Sequence, residues 1–241
     1  MSSALLKLWL WFSGRAVGLL LLPFCRLRIE GLEHVPREGG VVLASNHLSM
    51  FDTLVIPYSI NRSHGPYRVW APAKEELFRN AIASMCLRSW GVFPVRRGRN
   101  DLRGIRRMLS LMRSDKMMLF PEGTRSRDGR LHEGNRMLGK LIHQAQPVVI
   151  PTLIVGTDGV LGSGRWWPHW RTPVSVHYGR PLDLQGHYQT PSSKETSEAI
   201  VKEIMGAIAA LMYNGQETIP RPSAPGARFQ PEGSVDESTR L

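Results

Sequence analysis

The sequence predicts an α/β fold built on one sheet. Three observations carry that expectation. Short apolar runs rich in β-branched or aromatic residues recur along the chain. Segments of helical pattern separate them. The composition, 42% hydrophobic and 21% charged, is that of a chain able to bury a core. At 241 residues it has room for one sizeable domain with accessory segments.

Residues 4–26 read ALLKLWLWFSGRAVGLLLLPFCR. No small-residue cleavage site follows Leu22, so a signal peptide is not indicated. A spanning helix needs about 20 mostly apolar residues. Here Lys7 and Arg15 interrupt the run, Ser13-Gly14 divides it and Pro23 ends it. The reading favours residues 1–30 as a membrane anchor made of two short apolar pieces lying in one leaflet. A single tilted span or a buried core helix is the alternative.

From residue 31 the pattern changes. Strands are expected at 41–44, 67–71, 91–95, 117–120, 148–155 and 174–178, with helices near 51–61, 75–88, 101–113 and 134–145. A longer helix is expected over 193–213, with Ser, Thr and Glu at its start and Gly215 beyond its end. Residues 214–241 carry Pro220, Pro222, Pro225 and Pro231 among Gly, Ser and charges, and read as a disordered tail.

The net charge is +11, which implies an anionic partner: a nucleic acid, an anionic membrane or a phosphorylated substrate. Residues 88–107 hold seven arginines (88, 96, 97, 99, 103, 106 and 107) and a single acid, Asp101. A surface facing anionic lipid or an acidic carrier protein is preferred over a solvated helix face. Nucleic-acid binding lacks a reading element. The cysteines, Cys25 and Cys86, are too few for a disulfide scaffold and are expected reduced, on the cytosolic side. No Cys/His cluster has zinc spacing. Trp166, Trp167 and Trp170 in one Gly- and Arg-rich loop suggest a second membrane contact, or else partial burial under the sheet.

Four short segments carry candidate chemistry. Ser45-Asn46-His47-Leu48-Ser49-Met50-Phe51-Asp52 follows the first expected strand, where α/β proteins place their sites. His47 and Asp52 would diverge by roughly 140° on one continuous helix. They meet only if His47 lies on the loop and Asp52 in the first turns of the helix; one imidazole nitrogen is then held and the other left as a base. On this stretch alone, a histidine packed beside a helix start is the simpler reading. Phe120-Pro121-Glu122-Gly123-Thr124-Arg125-Ser126 ends a strand in a turn, with a glycine for close approach and an Arg fork suited to phosphate. An ordinary polar turn fits it equally. Gly91-Val92-Phe93-Pro94-Val95-Arg96 is a strand ending in Arg, and Val148-Val149-Ile150-Pro151 by itself is a core strand.

Together and in this order, the four segments resemble the lysophosphatidic acid (1-acylglycerol-3-phosphate) acyltransferases, of the glycerolipid acyltransferase superfamily. That family carries N-H-x-x-x-x-D, G-x-F-x-x-R, F-P-E-G-T-R-S and V-x-x-P. The resemblance covers about residues 31–180. It implies a single mixed sheet flanked by helices, with the acyltransferase domain over 31–213. It implies His47 as general base on the acceptor hydroxyl and Asp52 as its orienting partner. Arg96, Glu122, Gly123, Thr124 and Arg125 would form the acceptor site, with the arginines on the glycerol phosphate. The donor would be an acyl thioester, on coenzyme A or acyl carrier protein, with no cofactor, no metal and no acyl-enzyme. The expected location is the cytoplasmic face of the cell membrane. Relatives commonly carry Phe-Lys-x-Gly after the turn. Here the stretch is Leu131-His132-Glu133-Gly134, so another lysophospholipid or an ornithine-type lipid remains open as acceptor. A non-catalytic lipid-binding module is the competing class.

Overall fold

The structure is a computed structural model that describes residues 3–21, 23–96, 101–126, 128–160 and 169–215. Seven strands form one sheet: β1 (Cys25–Glu30), β2 (Val41–Ser45), β3 (Val69–Lys74), β4 (Val92–Val95), β5 (Lys116–Leu119), β6 (Val148–Val155) and β7 (Thr172–Tyr178). Their order is β1-β7-β6-β2-β5-β3-β4. Strands β6, β2, β5, β3 and β4 are mutually parallel; β7 runs antiparallel to β6, and β1 parallel to β7. The sheet is mixed and flanked by helices, as expected.

Strand β2 sits at the centre. Val42 lies beside Val149 on one side and Met117 on the other. All five of its residues are buried, which is why it reads as a continuous apolar run rather than an alternating one. The pleat divides its side chains between two cores. Val41 and Leu43 join Val55, Ile56 and Ile60 of α2 (Asp52–His64), whereas Val42 and Ala44 join Leu138 and Ile142 of α5 (Arg136–Ala145) and Ile200 and Ile204 of α8 (Lys194–Gly215). Burying each such side chain contributes about 1.5–3 kcal/mol.

The N-terminal segment departs from expectation. It is one helix, α1 (Ser3–Leu21), continuous through Ser13-Gly14. The Ser13 hydroxyl donates to the Trp9 carbonyl one turn back, which satisfies it inside the helix. Leu10 and Ser13 are buried, and Gly18 lies so close to Tyr58 of α2 that a Cβ would sit 2.7 Å from its ring. The opposite face, with Leu5, Leu8, Trp11, Phe12, Leu19 and Leu20, is exposed. Among the described residues no helix is long and apolar enough to cross a membrane.

The sheet begins inside the segment read as anchor. In β1, Cys25, Leu27 and Ile29 alternate with Arg26, Arg28 and Glu30, the two-residue period of an edge strand. The helix expected over 75–88 is broken: a 3₁₀ turn (Glu75–Phe78) precedes α3 (Ala81–Ser89), whose start is fixed by the Asn80 side chain accepting from the Ala83 N–H at 3.0 Å. Helix α4 (Leu102–Ser114) falls as expected, and two single turns, α6 (Thr157–Val160) and α7 (Gln185–Tyr188), were not anticipated. Trp170 packs against Phe24 with ring centroids 4.9 Å apart and is 71% exposed, so it is not under the sheet. Trp166, Trp167, Arg97, Arg99 and the tail from 216 lie outside the described residues.

Candidate active site

The site forms where β2 ends. Asn46 is the first residue past the strand and is buried. Its side chain donates to the Ile154 carbonyl at 2.9 Å and accepts from the Ile154 N–H at 2.8 Å, so one amide satisfies both polar groups of a residue in β6. His47 follows on the loop, and Asp52 is the first residue of α2. This is the arrangement that lets a five-residue spacing bring the two side chains together. His47 Nδ1 lies 2.8 Å from Asp52 Oδ2.

Asp52 does more than hold the imidazole. The same Oδ2 accepts from the Leu48 N–H at 2.7 Å and the Ser49 N–H at 2.9 Å, and Oδ1 accepts from the Thr157 hydroxyl at 2.5 Å. The carboxylate side chain is 0% exposed and the imidazole 13%. With Asp52 accepting, a neutral ring carries its proton on Nδ1 and presents the Nε2 lone pair. Among the described residues nothing bonds Nε2. The ring is stacked on Phe120, with centroids 3.8 Å apart and planes at 11°, so its rotation is fixed by packing as well as by hydrogen bonding.

Phe120 opens the second segment, and further bonds join it to the first. The Glu122 carboxylate accepts from the His47 N–H at 3.2 Å and the His132 N–H at 3.2 Å, and the Ser126 N–H donates to the His47 carbonyl at 2.8 Å. Glu122 is therefore a brace for the His47 backbone. Burial pushes its carboxyl above the usual range, against the two N–H donors that favour the charged form. Gly123 takes φ +70°, the left-handed conformation that suits glycine, and its N–H closes the turn onto the Phe120 carbonyl. Thr124 and Arg125 are exposed beyond it, and among the described residues the Arg125 guanidinium pairs with no carboxylate.

The two arginines expected to act together are placed differently. Strand β4 is three strands from β2, roughly 14 Å at the usual spacing. Arg96, just past β4, has its fork engaged by Glu75, Nε to Oε2 at 2.9 Å and an Nη to Oε1 at 3.1 Å. Within the basic run, Arg88 lies over Phe78, and Arg107 lies over Trp70 and Phe93 instead of facing water alone. Where relatives were expected to carry a lysine stands His132, whose Nε2 lies 2.9 Å from Asp128 Oδ1. The Arg130 N–H, the Ser126 hydroxyl and His132 hold the Asp128 carboxyl at about 2. Among the described residues no three His, Cys, Asp or Glu side chains gather to hold a metal.

Thr157 and Glu75 were missed from sequence. Thr157 is 105 residues from Asp52 and carries no local signal; only the return of β6 alongside β2 brings it near. Replacing it with valine, which keeps shape and removes the donor, is expected to lower activity about tenfold by loosening Asp52, with the fold retained. Comparison of kcat and thermal midpoint checks this.

Comparison with known proteins gives the family. The family model described as Acyltransferase matches residues 26–155, just over half of the chain. The chain belongs to the acyltransferase family. The matched segment of this acyltransferase runs from β1 through β6 and includes all four sequence segments. It is 28% identical over 162 residues to the chloroplastic 1-acyl-sn-glycerol-3-phosphate acyltransferase LPAT1 of Arabidopsis thaliana, covering 66% of this chain and 42% of that protein. It is 27% identical over 116 residues to the 1-acyl-sn-glycerol-3-phosphate acyltransferase of Bacillus subtilis, covering 48% of this chain and 56% of that protein. The acyltransferase thus spans about half the length of the curated relatives it matches. Its fold matches the crystal structure of the 1-acyl-sn-glycerophosphate acyltransferase PlsC from Thermotoga maritima, with a TM-score of 0.66 and 24% identity over 90% of this chain and 81% of that one.

Proposed function

We propose that this acyltransferase transfers a fatty acyl group from an acyl thioester, on coenzyme A or acyl carrier protein, to the free hydroxyl of a lysophosphatidate-like acceptor, giving phosphatidate. The observation that carries the reading is the open Nε2 of a His47 held on its other side by buried Asp52, next to a turn that offers an uncommitted Arg125. The printed names of the relatives support the acceptor class.

In this reading Nε2 removes the acceptor proton as the oxygen attacks the thioester carbonyl carbon. The tetrahedral intermediate collapses, the C–S bond breaks, and the proton on His47 passes to the departing thiolate. Asp52 stabilises the imidazolium between the two transfers. The thioester is already activated, so the chain's own base suffices for the alcohol. Helix α1 is the membrane anchor in this proposal, its exposed apolar face lying in the cytoplasmic leaflet and one face on α2. Residues 31–213 with the preceding β1 make up the catalytic domain.

Detergent-purified protein tests the reading. Lysophosphatidate and neutral lysolipids are offered with acyl-coenzyme A and acyl carrier protein in parallel. Transfer to lysophosphatidate above the others supports it, and equal use of the neutral lysolipids removes the phosphate-directed acceptor. Arg125→Ala is expected to raise KM for lysophosphatidate about tenfold or more with a smaller change in kcat, since a charge-assisted bond contributes roughly 1.5–3 kcal/mol. A second reading, in which the acceptor carries a different head group, is favoured by one observation: His132, engaged with Asp128, replaces the expected lysine. A preference of the wild type for another lysolipid would select it.

A further inference from the structure

Strands β2 to β6 all point toward the edge of the sheet that carries His47, and β1 and β7 start from that edge. Exposed apolar side chains follow the same edge. On the β1 side are Leu19 and Leu20 at the end of α1, and Trp170 just before β7. Met50, three residues after His47, is exposed too. On the β4 side are Leu77 and Leu102, next to that edge, and Ile82 and Met85 of α3, which leads back from it toward the start of β4, the last two 71% and 67% exposed.

Helix α3 is unusual among these. Its sequence is AIASMCLRS, and none of its residues is buried. A nine-residue helix draws most of its stability from packing an apolar face, yet Ile82, Met85 and Cys86 face outward. Lys74, Arg79 and Arg88, on it or just before it, are exposed, as are Arg103 and Arg106 of α4 beyond β4. Against them stand Glu76 and Glu75, and Glu75 is already paired with Arg96.

We infer that the 77–88 segment is a second membrane-contact surface, one that docks on anionic lipid on the side of the site opposite α1. An acidic carrier protein would also suit an apolar patch with a basic rim. The bilayer is favoured because the apolar groups flank His47 on both sides across a sheet roughly 29 Å wide. A planar partner meets both flanks at once. The inference rests on the proposed acceptor being a bilayer-resident amphiphile, which has to reach Nε2 between the two contacts. Docking at α1 alone would leave the β4 side of this edge in water.

The test uses the full chain and sedimentation with vesicles of phosphatidylglycerol and phosphatidylcholine, or of phosphatidylcholine alone. Ile82→Ala/Met85→Ala removes apolar area while keeping strong helix formers. Arg79→Glu/Arg88→Glu reverses the rim. The alanine variant is expected to lose roughly tenfold or more in partition onto anionic vesicles. The charge reversal is expected to lose a similar factor on anionic vesicles and little on neutral ones. Circular dichroism and turnover of water-soluble short-chain substrates should match wild type. Partition unchanged in both variants would overturn the inference. So would wild-type partition combined with loss of transfer from acyl carrier protein but not from acyl-coenzyme A, which would make the patch a carrier-protein dock. Reduced partition in a protein whose wild type acylates no lysolipid would support the contact surface and reject the proposed function.

Discussion

Replacing His47 with alanine is expected to lower acyl transfer by about 10²–10⁴-fold, the usual contribution of a placed base, and to leave the thermal midpoint nearly unchanged. Among the described residues the imidazole makes one side-chain hydrogen bond, to Asp52, and it stacks on Phe120 at the margin of the core. The backbone bonds that fix the loop, from the His47 N–H to Glu122 and from the Ser126 N–H to the His47 carbonyl, survive the substitution. Acyl transfer measured beside a melting curve checks both halves. Near-normal turnover in a folded His47→Ala protein would eliminate the proposed mechanism.

For Asp52→Ala, transfer falls by a similar factor and stability falls with it. Four donors converge on this carboxylate: the His47 ring, the Leu48 and Ser49 N–H groups and the Thr157 hydroxyl. Removing the acceptor leaves them unpaired around a position that is 0% exposed. Each buried donor left without a partner costs about 1–3 kcal/mol. Even with partial relaxation the thermal midpoint should drop by several degrees, unlike that of His47→Ala. Asp52→Asn separates the roles, because its amide oxygen still accepts while its NH₂ faces a neighbour that also donates. It should recover part of the stability and little of the activity. Two melting curves and two rates distinguish a carboxylate that only orients from one that also holds the loop. Asp52→Ala melting like His47→Ala would contradict the second role.

Much of this was legible in the sequence because it is local. The runs at 41–44, 117–120, 148–155 and 174–178 became β2, β5, β6 and β7 within a few residues, since short continuous apolar stretches have few other ways to be buried. The requirement that His47 sit on a loop and Asp52 in the first helical turn followed from rotation per residue alone. What escaped depends on distant chain or on competition between readings. The alternation in Cys25–Glu30 was present but absorbed into an apolar neighbourhood. The Ser13-Gly14 pair reads as a break, yet the Ser13 hydroxyl closes onto Trp9 and the helix runs through it. Thr157 and the Glu75–Arg96 pair follow from sheet order, which strand-by-strand patterning does not encode. Arg96 matched its motif, but the motif did not reveal that its fork is shared with a carboxylate.

The pair of hydrogen bonds between Asn46 and Ile154 sets a tolerance on the whole arrangement. Ile154 lies near the end of β6, and Thr157 follows three residues later on the same piece of chain. One short stretch of chain, the end of β6 and the start of α6, thus supplies both a fixed point for the residue before His47 and a donor for the residue that holds its ring. A slip of one residue between β2 and β6 would displace both attachments by about 3.3 Å, more than either hydrogen bond can stretch. The accuracy with which the base is aimed is therefore inherited from the alignment of two central strands. Disturbing the pairing deep in the sheet would misalign the imidazole without altering any residue that contacts a substrate.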